Sequence, residues 1–389
     1  MGMNVTKWLF FAMRKVMCSA FAKAESIFHL IDIKITSMPY RIFIAIFLLT
    51  ISCKPEKESE IELLPVTAIK ITAVSTDSIS VRALERGANG FWYAGSKGSY
   101  GKVLDSAAHL INGRVVYNNN KALEFRSIAV TKDYTFILTA GNPALIYKIS
   151  HENDSLALVY EEAGESVFYD SMKFWNETDG IAMGDPQEAC FTVLITKDGG
   201  DSWQKISCDV LPQIIEGEAA FAASNSNIAL QGDHIWIVTG GKASRILHSA
   251  NKGKTWESME TTITRGGEMT GIYAVDFYDE KLGVIIGGDW NQKDVKTANK
   301  AITSDGGRTW ELLADGAGPG YSSDISFIPG TNGKELIAVG SPGIWWSGDQ
   351  GTTWKQLSET GFYTISFKDF NSGMLAGNNS ISSFQLIRK

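Results

Sequence analysis

The apolar residues of this chain fall into short runs that alternate with polar ones and stop at glycine. Seven runs share one ending: YAGSKG (Tyr93 to Gly98), TAGNPA (Thr139 to Ala144), AMGDPQ (Ala182 to Gln187), VTGGKA (Val238 to Ala243), IIGGDW (Ile285 to Trp290), AVGSPG (Ala338 to Gly343) and LAGNNS (Leu375 to Ser380). A second set stands upstream of these: SISVRAL, FRSIAV, YDSMKF, AAFAAS, IYAVDF, SDISFI and YTISFK. Alternation with period two, bounded by Gly-rich turns, predicts strands. One run of each kind, repeated seven times, predicts an all-β chain of seven like units.

A third element marks four of the units. TKDGGDSW (Thr196 to Trp203), SANKGKTW (Ser249 to Trp256), TSDGGRTW (Thr303 to Trp310) and SGDQGTTW (Ser347 to Trp354) share the form [ST]-x-[DN]-x-G-x-[ST]-W. Their tryptophans lie 53, 54 and 44 residues apart, a spacing that belongs to radial or linear repeats. Asp198, Asn251, Asp305 and Asp349 can accept hydrogen bonds from backbone N–H groups further along their own turns. Gly200, Gly253, Gly307 and Gly351 suit a positive φ. Trp203, Trp256, Trp310 and Trp354 leave the turn as apolar wedges. The motif holds no nucleophile, metal cage or acid–base pair, so it reads as a hairpin staple.

These residues resemble the Asp-box, or BNR, repeat of sialidases, sortilin-like receptors, xyloglucan-cleaving glycosidases and the photosystem II assembly and stability factors. In style they lie nearest the last family and the sortilin-like propellers. The resemblance implies a β-propeller in which the motif closes the hairpin between the third and fourth strands of a blade. The last unit lacks a fourth strand, and TAIKITAV (Thr67 to Val74) is a strand without a unit. The expected fold is therefore one seven-bladed propeller over 66–389, with the N-terminal strand completing the last blade.

Upstream of 66 the chain changes character. MPYRIFIAIFLLTISC (38–53) has a basic start, a short apolar run and a cysteine. It reads as a lipoprotein signal over 38–52, with lipid on Cys53 and a polar tether over 53–65. Residues 1–37 read as a misassigned start or an extension. Residues 1–52 hold six of the 36 basic and two of the 43 acidic residues, which leaves 30 against 41 in the exported part. That acidity argues against nucleic acid as a partner. The expected place is the bacterial outer membrane or cell surface.

Cys190 and Cys208 are equally distant from Gly199, the centre of their turn, and so face each other in a regular hairpin. A disulfide is the expectation, with two separate buried thiols as the alternative. The remaining histidines are scattered and no CxxC accompanies them, so no metal and no cofactor are expected.

In a propeller the Asp-box turns mark one face. The turns after the second strands and the loops leading into the first strands mark the other, around the channel mouth. Residues offered there include Asp185, Lys242, Asp289, Trp290, Arg126, Asp170, Arg265 and Tyr273, and the longest turn is GGDWNQKDVKTANK (Gly287 to Lys300). Trp290 is the residue best suited to stack on a sugar or a partner side chain. No nucleophile elbow, Walker motif or dinucleotide fingerprint occurs, and no catalytic residue is assigned. Two readings follow: a non-catalytic, lipid-anchored scaffold for a protein or glycan of the cell envelope, or a glycan-acting hydrolase of sialidase-like or other glycosidase type. The second requires three arginines and a Tyr–Glu pair at the mouth.

Overall fold

β-Branched and aromatic residues populate strands that pair into seven antiparallel sheets, one per expected unit. The structure is a computed structural model that describes residues 64–75, 77–105, 110–118 and 121–389. Residues 1–37, the signal-like run 38–52, Cys53 and nearly all of the tether lie outside the described residues.

Blade 1 consists of Val81–Gly87, Gly90–Gly95, Ser99–Leu104 and Leu110–Arg114. Blade 2 consists of Phe125–Val130, Tyr134–Thr139, Ala144–Ser150 and Leu156–Glu162. Blade 3 is Tyr169–Phe174, Gly180–Pro186, Phe191–Thr196 and Gln204–Lys205. Blade 4 is Ile228–Gln231, His234–Val238, Arg245–Ser249 and Glu257–Glu260. Blade 5 contains Thr270–Phe277, Gly283–Asp289, Lys300–Thr303 and Glu311–Leu312. Blade 6 contains Asp324–Phe327, Leu336–Gly340, Gly343–Ser347 and Lys355–Ser358. Blade 7 takes Thr364–Asp369, Ser372–Gly377 and Ser380–Arg388 from the C-terminus and Val66–Ser75 from the N-terminus. The closing pair runs from Val66 opposite Arg388 to Ser75 opposite Ile381.

The apolar core is divided among the blade interfaces. Ile128 and Leu145 of blade 2 meet Ala83 and Trp92 of blade 1, while Ile365 and Leu375 of blade 7 meet Ile337 and Val339 of blade 6. Val81 and Leu84 of blade 1 pack on Met374 and Ile381 of blade 7, so the ring closes through the same kind of interface.

The Asp-box turns repeat one hydrogen-bond pattern. Asp198, Asp305 and Asp349 each accept from both the backbone N–H and the hydroxyl of the residue four positions on. Thr196, Thr303 and Ser347 accept from the N–H groups of Gly200, Gly307 and Gly351. Asn251 keeps the pattern: its Oδ1 accepts from Thr255 N–H and its Nδ2 donates to Thr255 Oγ1. Gly200 has φ +77, and a Cβ there would lie 2.3 Å from Phe136 of blade 2. Trp310 wedges between its own Phe277 and Met259 of blade 4, and its Nε1 donates to Gly307 O at 2.9 Å. Each turn thus locks a hairpin and docks it on the preceding blade.

One expected strand is absent. The upstream run AAFAAS (Ala219–Ser224) does not form the first strand of its unit; the first strand of blade 4 is Ile228–Gln231. Only Glu218–Ala219 pairs, with Gly240–Gly241, before the chain turns into the channel. The buried polar groups explain the departure. Asn225 (φ +68) accepts from Ser127 Oγ at 2.7 Å and from Met172 N–H, and donates to Ile128 O. Ser226 donates to Asp324 at 2.7 Å. This segment is a plug that joins blades 2, 3 and 6 across the axis.

Candidate functional site

Four innermost strands carry an irregularity at the same place. The pairing register shifts across Arg82 in blade 1, Arg126 in blade 2, Asp170 in blade 3 and Tyr273 in blade 5. A bulge re-aims the side chain of its extra residue. Here four such residues stand at one level of the channel, on the face away from the Asp-boxes.

Two of them are arginines that lie close enough to influence each other. The Arg82 guanidinium stacks 3.9 Å from the Tyr363 ring centre and donates to Ala223 O at 3.2 Å. Burial, and then the charge of Arg126, lower its pKa. Arg126 is half-buried, and no hydrogen bond or salt bridge ties its side chain among the described residues. Exposed Glu124 acts on Arg82 through its charge and forms no ion pair with either arginine among the described residues, so two adjacent guanidinium groups still favour an incoming anion.

Beside them lie two acids. Asp170 is fully buried; no side chain hydrogen-bonds its carboxylate among the described residues, and the backbone N–H of Ala222 in the plug is the donor that faces it. Burial and then Asp185 raise its pKa well above the ordinary carboxylate value, with Arg126 opposing. Asp185 accepts from Ala220 N–H of the plug at 2.8 Å, and burial raises its pKa to about 6. The plug therefore covers the acids and meets Arg82, while Arg126 stays half-exposed.

The other candidates separate into different settings. Tyr273 is buried against Phe221, with ring centres 4.1 Å apart, and its hydroxyl donates to Met269 O. It supports the mouth from within and does not present itself to solvent. Trp290 is half-buried, in a T-shaped contact with Tyr321 at 5.2 Å and with Lys293 Nζ 3.9 Å over its ring, so one face is already engaged within the molecule. Asp289 and Arg265 share a rim pocket of about 310 Å³ with Thr264, Thr270 and Gln292. Asp289 caps its own turn through Asn291 N–H, and Arg265 pairs with Glu260 at 2.8 Å. Lys242 is exposed and donates to Gly266 O, apart from the mouth.

Arg82, Tyr363 and Asn225 were not among the expected site residues. Arg82 was legible: in SISVRAL it stands in the register of Arg126 in FRSIAV and Asp170 in YDSMKF. Asn225 was not, because its run resembles a strand. Below the plug the channel holds a polar cavity of about 390 Å³, walled by Glu85, Lys173, Asp276 and Asp324 among others. Its acids serve the ring itself: Asp276 accepts from Phe327 N–H and Asp324 from Ile365 N–H, each of the next blade. Asp324, buried in this wall, has its pKa raised to about 7.

The arginine triad that a sialidase requires is not assembled among the described residues. Arg245 is buried on Glu218 at 2.5 Å and on Gln213 O, and Arg388 is paired with Glu335 at 2.7 Å. The structure pairs Cys190 with Cys208, with Cα atoms 5.6 Å apart.

Residues 159–311, which contain three of the four Asp-boxes, match the family described as photosynthesis system II assembly factor YCF48. The fold is similar to that of YCF48 bound to D1 peptide, with TM-score 0.59 and 15% identity over 85% of this chain and 99% of the other. It is similar to YCF48 from Cyanidioschyzon merolae, with TM-score 0.57 and 13% identity over 82% of this chain and 98% of the other. The WD40 repeats of RRP9 are as similar in shape, with TM-score 0.58 and 10% identity over 84% and 99% of the two chains. These likenesses establish the seven-bladed Asp-box propeller. No curated protein matches the chain.

Proposed function

We propose that this Asp-box propeller is a non-catalytic binding scaffold, which holds a segment of a protein partner at the upper channel mouth. The observation that carries the reading is the pairing of Arg82 with Arg126, above a plug that closes the channel and with Arg126 free of hydrogen-bonded partners among the described residues. A carboxylate of the partner would lie across both guanidinium groups, and Tyr363 keeps Arg82 oriented. A solved propeller of similar fold holds a D1 peptide, which supports a peptide over a glycan. Trp290, the residue best suited to carry a sugar, already holds Lys293 over one face and meets Tyr321 in a T-shaped contact.

The reading includes export and a lipid anchor on Cys53, supported by the signal-like run before it. Blocking lipoprotein processing should then retard the protein on a gel. Unchanged mobility and unchanged membrane partition would remove the anchor from the proposal.

A photo-crosslinking residue tests the mouth in the native envelope. Placed at exposed Glu124, beside the arginines, it should give a discrete adduct. Placed at exposed Lys254 in an Asp-box turn, it should not. The double variant R82A/R126A should lose the Glu124 adduct. Equal adducts at both positions, or an adduct that survives R82A/R126A, would overturn the reading.

A further inference from the structure

The lower rim of blade 4 holds a side-chain arrangement unrelated to the mouth. His234 opens the second strand and His248 lies in the third, 14 positions apart in sequence. The hairpin register sets His248 opposite Trp236, which brings His234 Nδ1 to 2.9 Å from His248 Nε2. Both imidazoles rest on the Trp236 ring, with centres 5.3 and 5.4 Å from it. On its far side His248 Nδ1 meets Glu257 Oε1 at 3.0 Å.

That carboxylate fixes the chemistry of the pair. It accepts from Nδ1–H of His248, so Nε2 of the same ring carries the lone pair and points at His234. A carboxylate behind a histidine, orienting its free nitrogen, is the usual outer partner of a metal-ligating imidazole. Two imidazole nitrogens about 2.0–2.1 Å from one ion stand roughly 3.3 Å apart in a tetrahedral site and roughly 2.9 Å apart at the right-angled positions of the tetragonal site that Cu²⁺ prefers. The observed 2.9 Å matches the second spacing, and rotation of each ring about χ2, a torsion with a broad well, turns both lone pairs from each other toward a shared ion. His234 is half-buried and the Glu257 side chain is 61% exposed, so water can reach the pair and complete the coordination.

We propose that His234 Nδ1 and His248 Nε2 form a two-histidine site for a divalent late-transition-metal ion, with Cu²⁺ the tightest by the ordinary order of affinities. His234 moves its proton from Nδ1 to Nε2 as the ion enters, so the neutral pair loses none. Glu257 is a positioning residue. Arg308 of the neighbouring Asp-box acts on His248 with its positive charge, and its repulsion weakens the site.

The test is titration of the full chain with Cu²⁺ against glycine as competitor, with paramagnetic resonance to count the bound nitrogens. The expected spectrum shows two imidazole nitrogens. H234A and H248N should each weaken binding at least tenfold, and E257Q by about 10- to 100-fold. R308Q should tighten it severalfold, an effect that damage to folding would not produce. H151N, at the histidine of blade 2, should leave binding unchanged. The same titration with Zn²⁺ should show weaker binding that H234A also abolishes. Absence of Cu²⁺ binding by the unaltered chain, or binding that survives H234A, overturns the proposal. So does a loss in H151N equal to that in H234A.

Discussion

At the scale of the residue, the Asp-box tryptophans differ in burial while their turns are alike. Trp310 is buried between two blades, and Trp256 is half-buried. W310A should therefore cost about 3–5 kcal/mol, the range for deleting a large buried aromatic, and W256A distinctly less. Denaturant midpoints at unchanged slope would measure both. Asp324 makes a different kind of prediction. Burial raises its folded pKa to about 7, above the unfolded value of 3.8. A carboxyl group raised in this way contributes stability that is present in full below pH 3.8 and is lost as pH rises through 7. Asp198 works in the opposite sense. Hydrogen bonds from Ser202 hold it down to about 2, so its contribution is present above pH 3.8 and lost as pH falls through 2. D324N should flatten the decline of the melting temperature between pH 4 and 8 and leave the acid limb unchanged. An unaltered slope would show that Asp324 is not the group that titrates.

At the scale of the element, the plug is the part that propensity mispredicts. Ala219–Ser224 alternates small and apolar residues as a strand would, and nothing local tells the chain to leave the sheet. The deciding contacts are distant: Ser127, Ser171 and Met172 in two other blades hold Asn225. N225A leaves buried groups on both blades without partners and should cost about 3 kcal/mol or more. N225G restores the freedom that φ +68 demands and should cost roughly 1 kcal/mol less than N225A. Equal losses in the two variants would mean that backbone strain plays no part. The bulges belong to this scale as well. The pattern of the first strands showed which residues were equivalent, yet only the register shifts showed that Arg82, Arg126 and Asp170 are turned toward one level of the channel.

At the scale of the whole molecule, stability rests on closure. Removal of 66–75 would leave Ser380–Arg388 as an unpaired edge and strip Val66 from its interface with Ile337 and Phe384. The truncated chain should lose most of its monomer to aggregates on size exclusion, while a chain truncated only to residue 64 should not. The sequence by itself determined the seven units, the staples, the closing segment and every first strand but that of blade 4, because alternation, glycine turns and Asp-box hydrogen bonds act within a few residues of one another. It also pointed to the Cys190–Cys208 disulfide, although the observed register, with Leu194 opposite Lys205, is one residue off the symmetry about Gly199 and Cys208 lies beyond the paired strand. Only the tertiary structure decided which polar residues meet. Arg82 and Arg126 lie on neighbouring blades, Asn225 reaches across the axis, and His234 and His248, scattered in the sequence, share one hairpin face. Such meetings depend on blade packing and register shifts, whose causes lie far along the chain and leave no local pattern to read.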